Sequence, residues 1–245
     1  MRLAVPAAIG MVFSTLYNVV DVFFAGMIGT DAQAGLAISF QAFFIFVTIG
    51  FGLSAAMTAL VGNAIGAKKT TDASIIAAQG IGFSIVTSVL LIVAARFIGP
   101  HLLAIISTEG AYRTAGEAYL MILILSLPGF IMGYGLNGIL QAQGDTVSMQ
   151  YALVGAFFAN IGLNPLMMFG IPGIWGGLGF DGIAAATVIS QTGVMVYIGF
   201  RLMRSGVLVA KTLTNILPNL ALYRQILAQL LPTTFTMLAV SYTHL

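Results

Sequence analysis

Apolar residues occur along this chain in long blocks, not at the spacing of a half-buried surface. The first block runs from Leu3 to Ile28. Others run from about Leu36 to Ala64, Ala73 to Ala95, Ala118 to Leu140, Tyr151 to Phe169 and Ile183 to Met203. A seventh starts near Ile226, passes Pro232 and reaches Leu245. A bilayer-crossing helix needs roughly 20 apolar residues, so the pattern predicts six complete spans and a seventh just long enough. Between the blocks lie a turn at Gly26 to Asp31, a basic pair at Lys68-Lys69, and a longer loop with Arg96, Pro100, His101, Glu109 and Arg113. Further on come a Gly- and Pro-rich loop at Gly170 to Gly182 and a polar linker from Arg204 to Arg224. The expected fold is an all-α polytopic membrane protein. It divides into a six-helix lobe at 1–203, a cytoplasmic linker at 204–224, and the start of a second lobe at 225–245, with the natural protein continuing beyond. Two short repeats agree with that division. Pro6 matches Pro232 in a similar apolar setting, and the Gly26 to Ala32 turn matches Gly176 to Gly182.

Composition narrows the class. With 59% hydrophobic and only 7% charged residues, no separate soluble domain fits. The net charge of +2 does not point to nucleic acid, because the cations are scattered between apolar blocks. With the N-terminus inside, Arg2, Lys68, Lys69, Arg201, Arg204, Lys211 and Arg224 fall in inner loops, and only Arg96 and Arg113 fall outside. That asymmetry predicts a cytoplasmic N-terminus in the plasma membrane. The chain has no cysteine, and His101 and His244 lie far apart, so no metal cluster is expected. No nucleophile–base pair, phosphate loop or paired catalytic acids can be found, which argues against an enzyme. The letters Gly133, Gly135 and Gly138 mimic a dinucleotide fingerprint, but they lie in an apolar helix with no preceding strand. Small-residue spacings such as Gly62/Gly66, Gly129/Gly133 and Gly173/Gly177 are read as close helix packing or turns.

One charge stands out. Asp21 lies near the middle of the first block, where a carboxylate costs at least ~2.5 kcal/mol on insertion scales. Ser14, Tyr17, Asn18 and Asp21 fall on one helical face. Asp21 is therefore read as lining a polar cavity or ion path, with a packing hydrogen bond as the alternative; for Asn18 alone packing is preferred. Asn160 and Asn164 form an i, i+4 pair beside Pro165, which frees a nearby carbonyl. Spacing alone leaves two readings open, interhelical adhesion or an oxygen-rich wall facing Asp21. Asn137 and Gln141 form a similar pair with Tyr134 on the same face, and Thr187 heads a stripe with Ser190 and Gln191. Tyr119 falls near a span end, where an aromatic-belt position is expected, with Glu117 solvated beside it. Pro6 fits either a helix start or a kink in the first helix. Some of the twelve Met and seventeen Phe residues can line a pocket that adapts to varied apolar ligands.

Four stretches together resemble the N-terminal half of a multidrug and toxic compound extrusion (MATE) transporter. They are Leu16 to Asp21 with Ala25 to Gly29, the Gly62 to Lys68 turn, Asn137 to Asp145, and Asn160 to Pro165 followed by Gly182 to Thr187. The resemblance implies two six-helix lobes around a cleft and export of cationic or amphipathic compounds in exchange for Na⁺ or H⁺. It places the coupling acid on Asp21 with polar partners on Asn160, Asn164 and Thr187, and more loosely on Tyr17, Tyr119 and Asn137. Asp21, Asn160, Asn164 and Thr187 are then the ligands for a Na⁺, and no other cofactor is expected. Tyr119, Asn137 and Gln141 fall in the cleft network, and Pro6 matches a helix-bending proline. Many relatives have an aspartate where this chain has Asn164, so one carboxylate must do the work and the ion stays open. The implied partners are a small amphipathic substrate and the bilayer, not nucleic acid, with a monomer at full length. A lipid-linked saccharide flippase of related fold and a non-transporting membrane interaction protein are the alternatives.

Overall fold

A computed structural model describes residues 4–208 and 216–243. The fold is all helical. The helices are α1 (Ala4–Ile28), α2 (Thr30–Gly66), α3 (Thr70–Ile106), α4 (Ala111–Leu123), α5 (Leu127–Ala142), α6 (Ser148–Phe169), α7 (Asp181–Arg204) and α8 (Leu220–Thr243). A single 3₁₀ turn, Ile124–Ser126, joins α4 to α5. Six stretches among the described residues are long and apolar enough to cross a membrane. They are Ile9–Ile28, Thr30–Gly66, Thr70–Ile106, Ala111–Ala142, Ser148–Phe169 and Asp181–Arg204. The seventh block forms α8, which is not among these six. It lies along α2 and α3, and Leu230 and Thr234 approach Gly52. Part of the expected linker, residues 209–215, lies outside the described residues.

Three boundaries differ from the sequence reading. Helix α3 continues through Pro100 to Ile106, so Arg96, Pro100 and His101 are helical and not in a loop. Proline removes one backbone hydrogen bond, and the fully buried Leu103 beyond it keeps the helix docked. The loop after α3 shrinks to a few residues around Glu109, and Arg113 belongs to α4. The expected turn at Gly26 to Asp31 shrinks to Gly29 alone, whose φ of 154° lets the chain reverse in one residue. The fourth span begins at Ala111 and changes direction at the 3₁₀ turn. Pro128 cannot donate to the Ile124 carbonyl, and the Leu127 N–H takes that acceptor in a tighter ring.

Helix α2 is the hub, packed against α3, α4, α5 and α8. Small residues set the closest approaches. A side chain at Gly129 would meet the Gln191 backbone at 2.7 Å, so α5 and α7 can touch only with glycine there. Ser39 Oγ donates to the Gly35 and Gly116 carbonyls at 2.6 and 2.7 Å and so joins α2 to α4. The apolar core has two parts. One is centred on Leu53, Met57, Ile139 and Ile198, the other on Phe43, Leu120, Leu123 and Ile183. Helices α1, α6 and α7 close around the polar site.

Candidate functional site

Asp21 is fully buried, and the structure brings two other spans to it. Asn164 Nδ2, from α6, donates to Asp21 Oδ1 at 2.8 Å. Thr187 Oγ1, from α7, donates to Asp21 Oδ2 at 3.3 Å. The same Asn164 Nδ2 also donates to Asn160 Oδ1 at 3.0 Å, so the α6 asparagine pair acts as one unit. Asn160, Asn164 and Thr187 are fully buried as well. No Lys or Arg pairs with Asp21 among the described residues.

The local structure explains this convergence. Asn160 and Asn164 are one helical turn apart, and Pro165 sits in α6 just beyond them. Thr187 is in the second turn of α7, which starts where the 170–180 loop folds back onto α6. There the Leu178 and Gly179 N–H groups donate to the Met167 and Met168 carbonyls. That return fixes the depth of Thr187 relative to Asn164. Tyr17, one turn before Asp21, is 7% exposed, and its hydroxyl approaches Asn160, Thr187 and Ser190.

The set leaves polar capacity unused. Tyr17 Oη, Tyr119 Oη, Asn164 Oδ1, Asn160 Nδ2 and Ser190 Oγ are buried with no hydrogen-bond partner among the described residues. Unpaired polar groups at this depth are costly, and a bound species can satisfy several of them together. The oxygens are those of one carboxylate, one amide and neutral hydroxyls, a set suited to a hard monovalent cation or a proton. No cluster of three or more Asp, Glu, His or Cys residues is present among the described residues.

Three expected positions need correction. Tyr119 is not in an interfacial belt. It is fully buried, stacked on Phe180 with centroids 4.9 Å apart, because the span begins earlier than the apolar run does. Its hydroxyl points toward Thr187, Asp21 and Tyr17. Gln141 does not join Asn137. It is exposed on the last turn of α5, whereas Asn137 is buried with its Oδ1 unpartnered and outside the Asp21 set. The polar stripe of α1 also divides: Tyr17 and Asp21 turn inward, and Ser14 and Asn18 are exposed. Asn18 Nδ2 merely donates to the Ser14 carbonyl of its own helix at 3.2 Å. Glu117 pairs with Arg113 at 3.0 Å at the start of α4. Pro6 falls in the first turn of α1, where its missing N–H breaks no helical bond.

Beside the polar set is a cavity of about 140 Å³ that spacing did not reveal. Its aromatic wall consists of Phe40, Phe43, Phe44, Phe51, Phe130 and Tyr134. Ser14, Tyr17, Asn18, Thr187 and Gln191 supply its polar side. Phe51 and Tyr134 meet at 4.5 Å and Phe43 and Phe130 at 5.6 Å. Tyr17 and Thr187 belong to both the cavity and the Asp21 set. The sequence signal was present as Phe40, Phe43, Phe44 and Phe51 within three turns of α2, but apolar runs do not tell lipid-facing from cavity-facing rings.

Six apolar spans, three of which bury a polar site around one carboxylate, define a lobe of a polytopic membrane transport fold. The chain belongs to the MatE family, whose model matches residues 6–166, and that family is one of transporters, not enzymes. It is 27% identical over 190 residues to the probable multidrug resistance protein YoeA of Bacillus subtilis, covering 76% of this chain and 40% of that protein. It is 26% identical over 204 residues to the probable multidrug resistance protein NorM of Thermotoga maritima, covering 82% of this chain and 44% of the other. Among solved structures, a MATE protein in its bent conformation superposes with a TM-score of 0.86 at 23% identity, over 98% of this chain and 53% of that one. A MOP-superfamily transporter from Pyrococcus furiosus gives 0.85 at 24%, over 98% and 52%. The chain spans about half the length of the relatives it matches.

Proposed function

We propose that the chain forms the ion-coupling lobe of an antiporter that exports cationic or amphipathic compounds in exchange for Na⁺ or H⁺, with Asp21 as the coupling carboxylate. The observation that carries this reading is the full burial of Asp21 among neutral partners only. An isolated carboxylate in a low-dielectric interior is unfavourable, so it is neutralised by a cation or a proton. Asn164 and Thr187 hold the carboxylate oriented, and Asn164 Oδ1 with the Tyr17 and Tyr119 hydroxyls can complete an oxygen shell. The aromatic cavity next to it suits flat organic cations, whose attraction to ring faces runs from about 0.5 to 2 kcal/mol each. At about 140 Å³ it holds part of a drug-sized compound, since such sites usually span ~300–1,000 Å³.

Coupling follows from differential affinity. With Asp21 charged, α1 is held open toward a polar cleft. Neutralisation removes the cost of closing α1 against α6 and α7, and the compound held at the shared Tyr17 and Thr187 wall is released outward. The protein works as a monomer in the plasma membrane with its N-terminus inside. The flippase alternative is disfavoured because none of the cavity-lining residues is Lys or Arg.

The test is efflux of a cationic dye from lipid vesicles containing the native-length protein, under an imposed Na⁺ or proton gradient. One gradient is expected to drive efflux in the wild type and neither in Asp21→Asn, while the variant still binds dye. Gradient-driven efflux that persists in the variant would overturn the assignment.

A further inference from the structure

The linker that follows α7 ends on one side chain of the six-span lobe. Gln79 of α3 is buried inside a membrane span, where an amide needs partners. Its Nε2 donates to the Leu217 carbonyl at 2.8 Å, and its Oε1 accepts the Asn219 N–H at 2.9 Å. Both ends of the amide thus grip linker backbone, two residues apart. Pro218, between them, has no N–H to leave unpaired. The Leu217 side chain turns outward, 78% exposed, so the grip does not use it.

Asn219 carries the contact into α8. While Gln79 holds its N–H, its Oδ1 accepts the Ala221 and Leu222 N–H groups at 3.0 and 3.3 Å and starts the helix. The same face of α3 continues the seat. Gly82, three residues after Gln79, lies so close to the Ile216 carbonyl that an added Cβ would collide with it. Phe83, one residue further, meets the Tyr223 ring edge-on with centroids 5.0 Å apart.

Apolar burial does not hold this end of the seam. From Ile216 to Gln225 no residue is buried, and the first buried position of α8 is Ile226. Ile226 and Leu230 join the core part that contains Leu53 and Met57 of α2. At Gly52 an added Cβ would meet the Leu230 carbonyl at 2.7 Å. The linker end therefore rests on the two Gln79 bonds and the Phe83–Tyr223 contact.

We propose that Gln79 is a latch, a positioning residue that acts through the linker backbone to seat the start of α8 on α3 and sets how often this end of the seam opens. On α2, Gly52 is next to Phe51 of the aromatic wall, so an opening seam carries away the helix packed behind that wall. The latch does not depend on Asp21 or on which ion drives transport.

The test is hydrogen exchange of the native-length protein in lipid vesicles, read by mass spectrometry on residues 219–224, with residues 143–150 around the start of α6 as the reference. Gln79→Met keeps the length of the side chain and removes both bonds. It should speed exchange of 219–224 about tenfold, as the loss of two hydrogen bonds implies, and leave 143–150 unchanged. Gln79→Glu separates the bonds from the shape. Protonated in acid, its carboxyl can donate to Leu217 and accept from Asn219, and exchange should match the wild type at the same pH. Ionised in alkaline buffer, it can only accept and faces the Leu217 carbonyl, and exchange should rise to the Gln79→Met level. A packing role alone would not follow pH in this way. Unchanged exchange of 219–224 in Gln79→Met would overturn the proposal. So would a Gln79→Glu variant that exchanges as fast as Gln79→Met in acid, or a rise of equal size in 143–150, which would mark general destabilisation.

Discussion

Asp21 and Asp145 are the same side chain in two opposite settings. Asp145 follows α5 and satisfies the start of α6. Its Oδ1 accepts the Val147 and Ser148 N–H groups at 3.2 and 2.9 Å, and its Oδ2 accepts the Ser148 hydroxyl at 2.6 Å and Arg201 at 3.0 Å. Partial burial alone would raise its carboxyl, but hydrogen bonds from Ser148, Arg201 and the Val147 N–H outweigh it and hold the group at about 2, below the ordinary 3.8. Every acceptor is filled and the charge faces a cation at the water boundary. Asp21 has two neutral donors, no cation among the described residues, and unpaired oxygens around it. The comparison teaches that an acid alone says little about role. A carboxylate compensated on all sides pins helices together, and an uncompensated one at membrane depth marks where something binds.

The sharpest way to break this contrast is Asp21→Asn, which keeps the shape and removes the charge. Gradient-driven efflux should fall to the level without a gradient. Next in size is Asn164→Ala, which strips the closer donor from Asp21 and the partner from Asn160. It should destabilise the protein by about 1–3 kcal/mol, the cost of leaving buried polar groups unpaired, read as a lower thermal midpoint in detergent. Asp145→Ala should cost less, about 0.5–2 kcal/mol for the lost helix-start bonds. The exposed Arg201 pair adds little to that, because water screens the attraction. Because the Asp145 pKa is depressed on folding, its contribution is complete above about 3.8 and is lost as pH falls toward 2. The wild type and Asp145→Ala should therefore differ by a constant amount from pH 5 to 8 and converge in acid. The smallest effect is expected from Tyr119→Phe. Its hydroxyl bonds nothing in the described residues, so stability should change by no more than ~0.5 kcal/mol. A large loss of stability would show that this hydroxyl is already paired and is not free to join a bound ion.

Run length made the spans legible, because a bilayer imposes a minimum that few soluble helices meet. Turns were less legible. Nothing in the letters around Pro100 says that Leu103 docks and keeps α3 intact, or that Pro128 shifts the chain into a 3₁₀ turn. For the site, Asp21 declared itself by its depth, and the asparagine pair by its spacing. That Asn164 and not Asn137 reaches Asp21 is a tertiary fact: α1 packs along α6, whereas α5 packs against α2, α3 and α7. The aromatic cavity was invisible for the same reason: it depends on which side of a uniformly apolar helix faces a neighbour.

The most direct measurement of the central claim is the carboxyl-region infrared difference spectrum of the native-length protein, recorded as Na⁺ is added at fixed pH and as pH is stepped at fixed Na⁺. At least one of the two spectra should show a change in a single carboxyl group that is absent from Asp21→Asn. Identical spectra from wild type and variant in both experiments would contradict the assignment of Asp21 as the group that takes up the ion.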